Sequence, residues 1–593
     1  MPNGPSRRSL LTAAGLGAAG ALGASGGTAR ASGAGAGAEA GHGPTPRPGA
    51  RQLTFASPQL TPYVDALPLP PVLTGDRTLA MAPATHRFHR DLGVARTWSY
   101  GGQPYLGPTI EAQRGVPLSL TFSNGFDGHL FAADVDPTLE GASELDRTQP
   151  RASVHLHGAV TPPDADGHPE NTFRPGGSMT YRHPNGQQAG HLWYHDHAMG
   201  ITRLNAVAGL AGQYMLRDAY DTGAAGNPLG LPDGEFEVPL TLADRRFGDD
   251  GSLVFRTSRA VPQGHWEGGM FGDTMTVNGV VSPYLEVARG FYRLRVLNAS
   301  NARAYRLFFS DRMPFWVVGA DGGLLDAPAR TTSVRITPGE RLDLVVDFGS
   351  LAAGEHVDLT NDQQESPDVV AATGVAPTAD IMRFTGTGVA GFRTPPPDRL
   401  RGGPGLPAAL PPMPQPTAAR RIVTLTPARV PGYPPAGMTM DNMLYGQGPV
   451  TAPRQGTTEV WEFVNVSPQA HPMHLHLVHM RVLDRQRFDI EAYVRANPRP
   501  AAGTPWRPSP DAYLVGAAQP PSPWETGLKD TVACPPATVT RVLVRFPDAA
   551  ELGFDPDASF TALDGMSLQG YVWHCHILDH EDDCMMARYR LTV

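Results

Sequence analysis

"PTIEAQRGVPLSLTFSN", residues 108–124, opens on a proline, turns on a glycine and closes on an asparagine. Between the glycine and the asparagine, apolar and polar residues alternate with the period of a half-buried strand. The frame returns as "PYLEVARGFYRLRVLN" from Pro283 and as "PVTAPRQGTTEVWEFVN" from Pro449. Each time glycine follows proline by seven residues (Gly115, Gly290, Gly456) and the strand closes on asparagine (Asn124, Asn298, Asn465). Other short runs such as "TRVLVRF" (540–546) are punctuated by Gly, Pro, Asp and Asn, and sustained helical periodicity is scarce. A pattern recurring at such long intervals predicts an all-β chain of three related domains, near 51–220, 235–390 and 422–593. The Pro-rich stretch 391–421 reads as a linker, and 497–527 as a long loop inside the third domain.

A chain of 593 residues exceeds one domain, and its net charge of −9 with no long basic run excludes a nucleic-acid or anionic-membrane partner. Lysine occurs once, at Lys529, whereas arginine is plentiful, as expected of a GC-rich coding bias. Near the N-terminus, Arg7 and Arg8 precede a short Ala/Gly/Leu run and the small-residue stretch Ala29–Ala31. This predicts a twin-arginine export signal within 1–50, followed by a disordered segment, and a secreted protein with no membrane span. A monomer is expected. The three cysteines, Cys534, Cys575 and Cys584, are too few for a disulfide framework, although export leaves a Cys534–Cys584 bridge open.

Four histidine pairs at i, i+2 stand out: His155/His157, His195/His197, His474/His476 and His574/His576. On a strand such residues share one face, about 6.6 Å apart, a spacing suited to one metal cluster. Chance predicts about 0.7 such pairs for this composition. Two pairs fall in the first domain and two in the third, so a shared cluster would sit between them and clamp them together. The second domain has the repeat but no pair, and reads as a spacer.

The fourth pair brackets a cysteine in "YVWHCHILDHEDDCMM" (571–586). Alternation sends the Cys575 sulfur to the face opposite His574 and His576. There His580 and His471 can meet it, with Met585 as a weak axial thioether, the donor set of a blue-copper site. One strand would then serve two metal sites joined by a short covalent path. The remaining histidines, among them His168, His183, His191 and His479, read as hydrogen-bonded or surface imidazoles. Met438, Met440 and Met443 read as strand core.

Together "HLHG", "HDH", "HPMHLH" and "HCHILDHEDDCM" resemble the four signatures of the multicopper oxidases, and the match runs from about residue 60 to the end. "LWYHDHAMGITRLN" and "VNGVVSPYLEV" are similar to the three-domain bacterial laccases of the spore-coat type, near relatives of bilirubin oxidase and phenoxazinone synthase. The resemblance implies three cupredoxin-like Greek-key β-sandwiches and four copper ions. By position, His471, Cys575, His580 and Met585 would hold a type 1 copper, and His155 and His474 a type 2 copper. A coupled type 3 pair would take His157, His195 and His576 on one ion and His197, His476 and His574 on the other.

The implied reaction is one-electron oxidation of phenols, aromatic amines or similar small reductants, coupled to reduction of O2 to water. Electrons would enter at the exposed imidazole edge of His580, with the loops near 258–270 and 497–527 shaping the mouth. Protons need carboxylates, for which Glu581 and Asp166 are the candidates by position. For Glu581 the plain alternative is a solvated acidic turn with Asp582 and Asp583. Bilirubin oxidation, aminophenol coupling and oxidation of Cu(I) or Mn(II) stay open as alternatives. Outside the oxidases, the alternatives are a copper-free exported scaffold of the same fold and a copper nitrite reductase. The former would lack the ligands present here, and the latter needs no four histidine pairs.

Overall fold

The computed structural model describes residues 56–257, 261–365, 370, 377–428, 437–583 and 585–593. The expected export signal and Cys584 lie outside the described residues.

Apart from a small hairpin, Ser559–Thr561 with Ser567–Gln569, the strands form three pairs of sheets. Residues 72–217 contribute a five-stranded and a four-stranded sheet, residues 237–390 a seven-stranded and a five-stranded sheet, and residues 421–589 a six-stranded and a four-stranded sheet. Each pair encloses an apolar core, built around Trp98 and Tyr194, around Phe309 and Phe348, and around Trp461 and Trp573 respectively.

The sequence repeat appears as a structural repeat. The strand that closes each repeat lies parallel to an earlier one: Met81 opposite Asn124, Leu242 opposite Asn298 and Leu425 opposite Asn465. Each terminal asparagine does the same work. Its side-chain oxygen accepts from the backbone N–H two residues on (Phe126, Ser300, Ser467), and its Nδ2 donates to two backbone carbonyls. A buried asparagine thus satisfies the backbone where the strand leaves its sheet, the role to which its short amide is suited.

Leu118–Asn124 alternates as expected, with every second residue buried. Phe291–Asn298 does not, because Arg293 and Arg295 are also buried, held by Asp221, Glu237 and Asp343. That face abuts the first domain, so paired charges replace solvent there.

Candidate metal centres

Two antiparallel strand pairs carry five of the eight histidines, and His197, His476 and His576 each lie one residue past a strand end. Val154–His157 runs against Gly190–Asp196 with His155 opposite His195, and His471–Leu475 runs against Tyr571–Cys575 with His474 opposite His574. The two pairs face each other across the boundary between the first and third domains in a near-twofold arrangement. The first histidine of one pair meets the second of the other: His155 stacks on His476 at 3.8 Å between ring centroids, and His157 on His474 at 3.7 Å. All eight rings are at most 1% exposed.

Two aspartates repeat the same symmetry. The backbone oxygen of Asp166 lies 2.6 Å from His155 Nδ1, while its carboxylate crosses to His476 Nδ1 at 2.7 Å. The backbone oxygen of Asp530 lies 2.9 Å from His474 Nδ1, while its carboxylate crosses to His157 Nε2 at 2.9 Å. Partners on the outer nitrogens fix each ring and its tautomer. Asp166 ends a turn that Gly167 (φ +77°) lays on the His155 strand, since a Cβ there would meet Val154 O at 2.2 Å. Gly158 makes room in the same way, since its Cβ would lie 2.7 Å from both Arg341 Nη2 and the Asp530 carboxylate.

The inner nitrogens tell whether a metal fits. His155 Nε2, His474 Nε2, His157 Nδ1, His195 Nε2 and His576 Nε2 are buried without a hydrogen-bond partner among the described residues. The Nε2 atoms of His197 and His476 each lie 3.2 Å from that of His574. Donor atoms of His157, His195 and His576 converge to within 4.8 Å of one another, as do those of His197, His476 and His574. Burial drives these imidazoles toward the neutral form, the one that ligates. Buried nitrogens aimed at one another and otherwise unsatisfied are costly without a shared cation, so the residues fit a cluster of imidazole-bound ions.

The second centre lies behind the same strand. Cys575 Sγ is 3.4 Å from His471 Nδ1 and 3.9 Å from His580 Nδ1. Ser467 Oγ, 2.7 Å from His471 Nε2, turns the other ring nitrogen toward the sulfur. Met585 is fully buried and tied to both partners through backbone bonds, its N–H donating to His580 O and its carbonyl accepting from Cys575 N–H. A thiol with two imidazoles in an apolar shell suits a soft transition metal.

One expectation changes and one alternative falls. His580 is not an exposed edge: it is 1% exposed. A roof formed by residues 261–271 of the second domain covers it. Trp266 Nε1 donates to Asp579 O (2.7 Å), Trp266 N–H to Asp136 (2.8 Å) and Met270 N–H to the Asp579 carboxylate (3.0 Å). Nor do Glu581, Asp582 and Asp583 form a solvated turn. They lie buried in the short helix Leu578–Asp583, with Asp582 bonded to Arg203 and to the N–H groups of Thr202 and Arg203. The Glu581 carboxylate sits between His197 Nδ1 (3.2 Å) and His574 Nδ1 (3.1 Å), and burial pushes it up to about 7. Segment 497–527 packs on the body of the protein at both ends. Trp506 is bonded to Thr424 and Asp441, and Trp524 packs on the second domain's core.

His168, His183 and His191 are buried but join none of the donor groups, and Met438 and Met440 pack in the third core. The sequence reading missed Asp530, Ser467 and the second domain's Arg341, whose guanidinium grips the Asp530 carboxylate. The second domain is therefore more than a spacer. The one available signal was Asp530's place beside the chain's single lysine.

Two facing cupredoxin-like sandwiches with a histidine cluster at their junction and a cysteine–histidine site behind it define a copper oxidoreductase. Family models described as multicopper oxidase match residues 146–221, 261–376 and 416–592. A laccase from Bacillus subtilis (strain 168) is 34% identical over 90% of this chain and 99% of its own length. Multicopper oxidase LPR1 homolog 1 of Oryza sativa subsp. japonica is 34% identical over 89% and 92%. Among solved structures, McoA multicopper oxidase from Aquifex aeolicus aligns with a TM-score of 0.66 at 24% identity, covering 89% of this chain and 99% of that one. The multicopper oxidase of Campylobacter jejuni, titled a metallo-oxidase, aligns at 0.67 and 18%, covering 92% and 99%. The chain belongs to the multicopper oxidase family and is of the bacterial laccase type.

Proposed function

We propose that this enzyme is an exported laccase-like oxidase that takes single electrons from small reductants and passes them to dioxygen. Four donors would each yield one electron, and one O2 with four protons would yield two waters. The reading rests on one observation: Cys575, which ends its strand between His574 and His576, turns its sulfur to His471 and His580 while its neighbours turn to the cluster. Bound copper would supply one-electron redox at the sulfur and the place where dioxygen is reduced.

His471, Cys575, His580 and Met585 would hold the type 1 ion, and His155 and His474 the type 2 ion. The other six histidines would hold the coupled pair. The peptide links from Cys575 to His574 and His576 give electrons a covalent path only one residue long in each direction. Glu581 is placed to hold a proton between His197 and His574, and Asp166 orients His155 and His476.

A second reading is oxidation of a metal ion rather than an organic donor. The buried His580 favours it, because the roof keeps aromatic rings off the imidazole edge; the structural relative titled a metallo-oxidase is consistent with it. Oxygen consumption by the copper-loaded enzyme with dimethoxyphenol, 2-aminophenol, bilirubin, Cu(I) and Mn(II) decides between them. Turnover of the phenol supports the first reading, and turnover confined to metal ions replaces it with the second. Copper-loaded protein that consumes nitrite but no oxygen would overturn both.

A further inference from the structure

Of the chain's 48 basic residues one is a lysine, and it is buried. The Lys529 ammonium lies 2.8 Å from the Asp321 carboxylate and 2.7 Å from Glu340, both contributed by the second domain. Arg341, also from the second domain, grips the next residue, Asp530, through both terminal nitrogens. The side chains of these five residues are at most 7% exposed. The backbone is held as closely. Lys529 exchanges two hydrogen bonds with Met480, Gly322 N–H donates to Leu528 O, and Asp321 accepts from the N–H groups of Arg341 and Thr531.

This enclosure matters because of what Asp530 does. Its carbonyl holds His474 and its carboxylate holds His157, one histidine from each of the two facing domains. A shift of the 528–531 segment would therefore misdirect two rings at once, and besides those histidines the Asp530 carboxylate is held by Arg341 and Thr531 Oγ1. An ammonium is a compact charge that can sit between two carboxylates in a closed space, whereas a guanidinium is a planar fork that needs a broader opening. In a chain that otherwise uses arginine throughout, lysine stands in a closely packed place: next to Asp321, a Cβ on Gly322 would meet the Leu528 side chain at 2.4 Å.

We propose that Lys529 is a positioning residue for the histidine cluster, pinning Asp530 to the second domain so that His474 and His157 present their inner nitrogens to the metal. The inference rests on the copper-binding reading above and goes beyond it by giving the second domain control over the cluster. Loss of a partner bonded directly to a ligating histidine weakens metal binding about 10- to 100-fold; Lys529 acts one step back, through Asp530, so the lower end of that range is expected.

The test compares the wild-type holoprotein with Lys529→Met by chelator competition, following total copper, the EPR signal of the uncoupled non-blue ion and the blue absorption of the Cys575 centre. The expected result is at least tenfold weaker retention of cluster copper with the blue absorption intact. A purely structural role would lower the melting temperature but leave affinity unchanged, and a folded variant with wild-type cluster affinity overturns the proposal. If the wild type itself holds no copper in the cluster, the copper reading fails instead. Should the variant not fold, the wild type still decides. Lys529 is the only lysine amine, so acylation at that residue can be read by peptide mass spectrometry. Coupling between two sites is reciprocal. Emptying the cluster with a chelator is expected to speed Lys529 acylation at least tenfold, and an unchanged rate in protein that remains folded overturns the proposal.

Discussion

Asp166 offers a graded perturbation of the cluster. Its carboxylate makes one hydrogen bond, at 2.7 Å, with His476 Nδ1 and lies 3.6 Å from His155 Nδ1, whereas its carbonyl lies 2.6 Å from His155 Nδ1. Its φ of −76° suits any residue, so substitution does not strain the turn. A hydrogen bond to a charged group contributes about 1.5–3 kcal/mol, or about 10- to 100-fold in an equilibrium at ~1.4 kcal/mol per decade. Asp166→Ala is therefore expected to weaken copper retention by His197, His476 and His574 by about that factor. Asp166→Asn keeps the volume and a neutral acceptor. Because charge-assisted bonds are roughly twice as strong as neutral ones, its loss should be about 3- to 10-fold. Ions at His155 and His474, and at Cys575, should be retained as in the wild type. Competition with a chelator of known affinity, read as copper per chain together with EPR of the uncoupled ions, measures all three. Equal retention by both variants, or a loss confined to the His155/His474 position, would refute the reasoning.

Cys575→Ser is expected to remove the blue absorption while the chain still folds, because the swap changes one buried atom; a variant that stays blue contradicts the assignment of the sulfur. Complete copper removal should lower the melting temperature, since an ion present at ~1,000 times its Kd stabilises the native state by about 4 kcal/mol per site, and an unchanged melting curve argues against a clamp between the first and third domains. Trp266→Ala opens the roof over His580. It is expected to raise kcat/KM for a bulky phenol by about tenfold or more, ~1.4 kcal/mol of transition-state access, with the blue absorption unchanged; a fall for donors of every size would mean that the indole is needed for electron entry.

Much of the site was legible because it obeys local geometry. Alternation of an extended chain places His574 and His576 on one face and Cys575 on the other, and the other pairs follow the same rule, although His197, His476 and His576 each lie one residue past the end of their strand. The repeat was legible because each asparagine bonds to the backbone within its own domain. What could not be read depends on segments far apart in the chain. Asp530 contacts His157 across 373 residues, Asp166 contacts His476 across 310, and Arg341 reaches Asp530 across 189. The same holds for the acidic run after His580. Its composition suggests solvent, yet Arg203 and the Trp266 roof enclose it, because charge can be buried wherever another domain brings a partner. Thus the sequence alone determined which atoms could bind metal, since strand periodicity is a property of neighbouring residues. Only the tertiary structure decided how those atoms are held, what covers His580, and that Arg341 of the second domain bonds Asp530 beside the histidines, because desolvation and ion pairing depend on which distant surfaces meet.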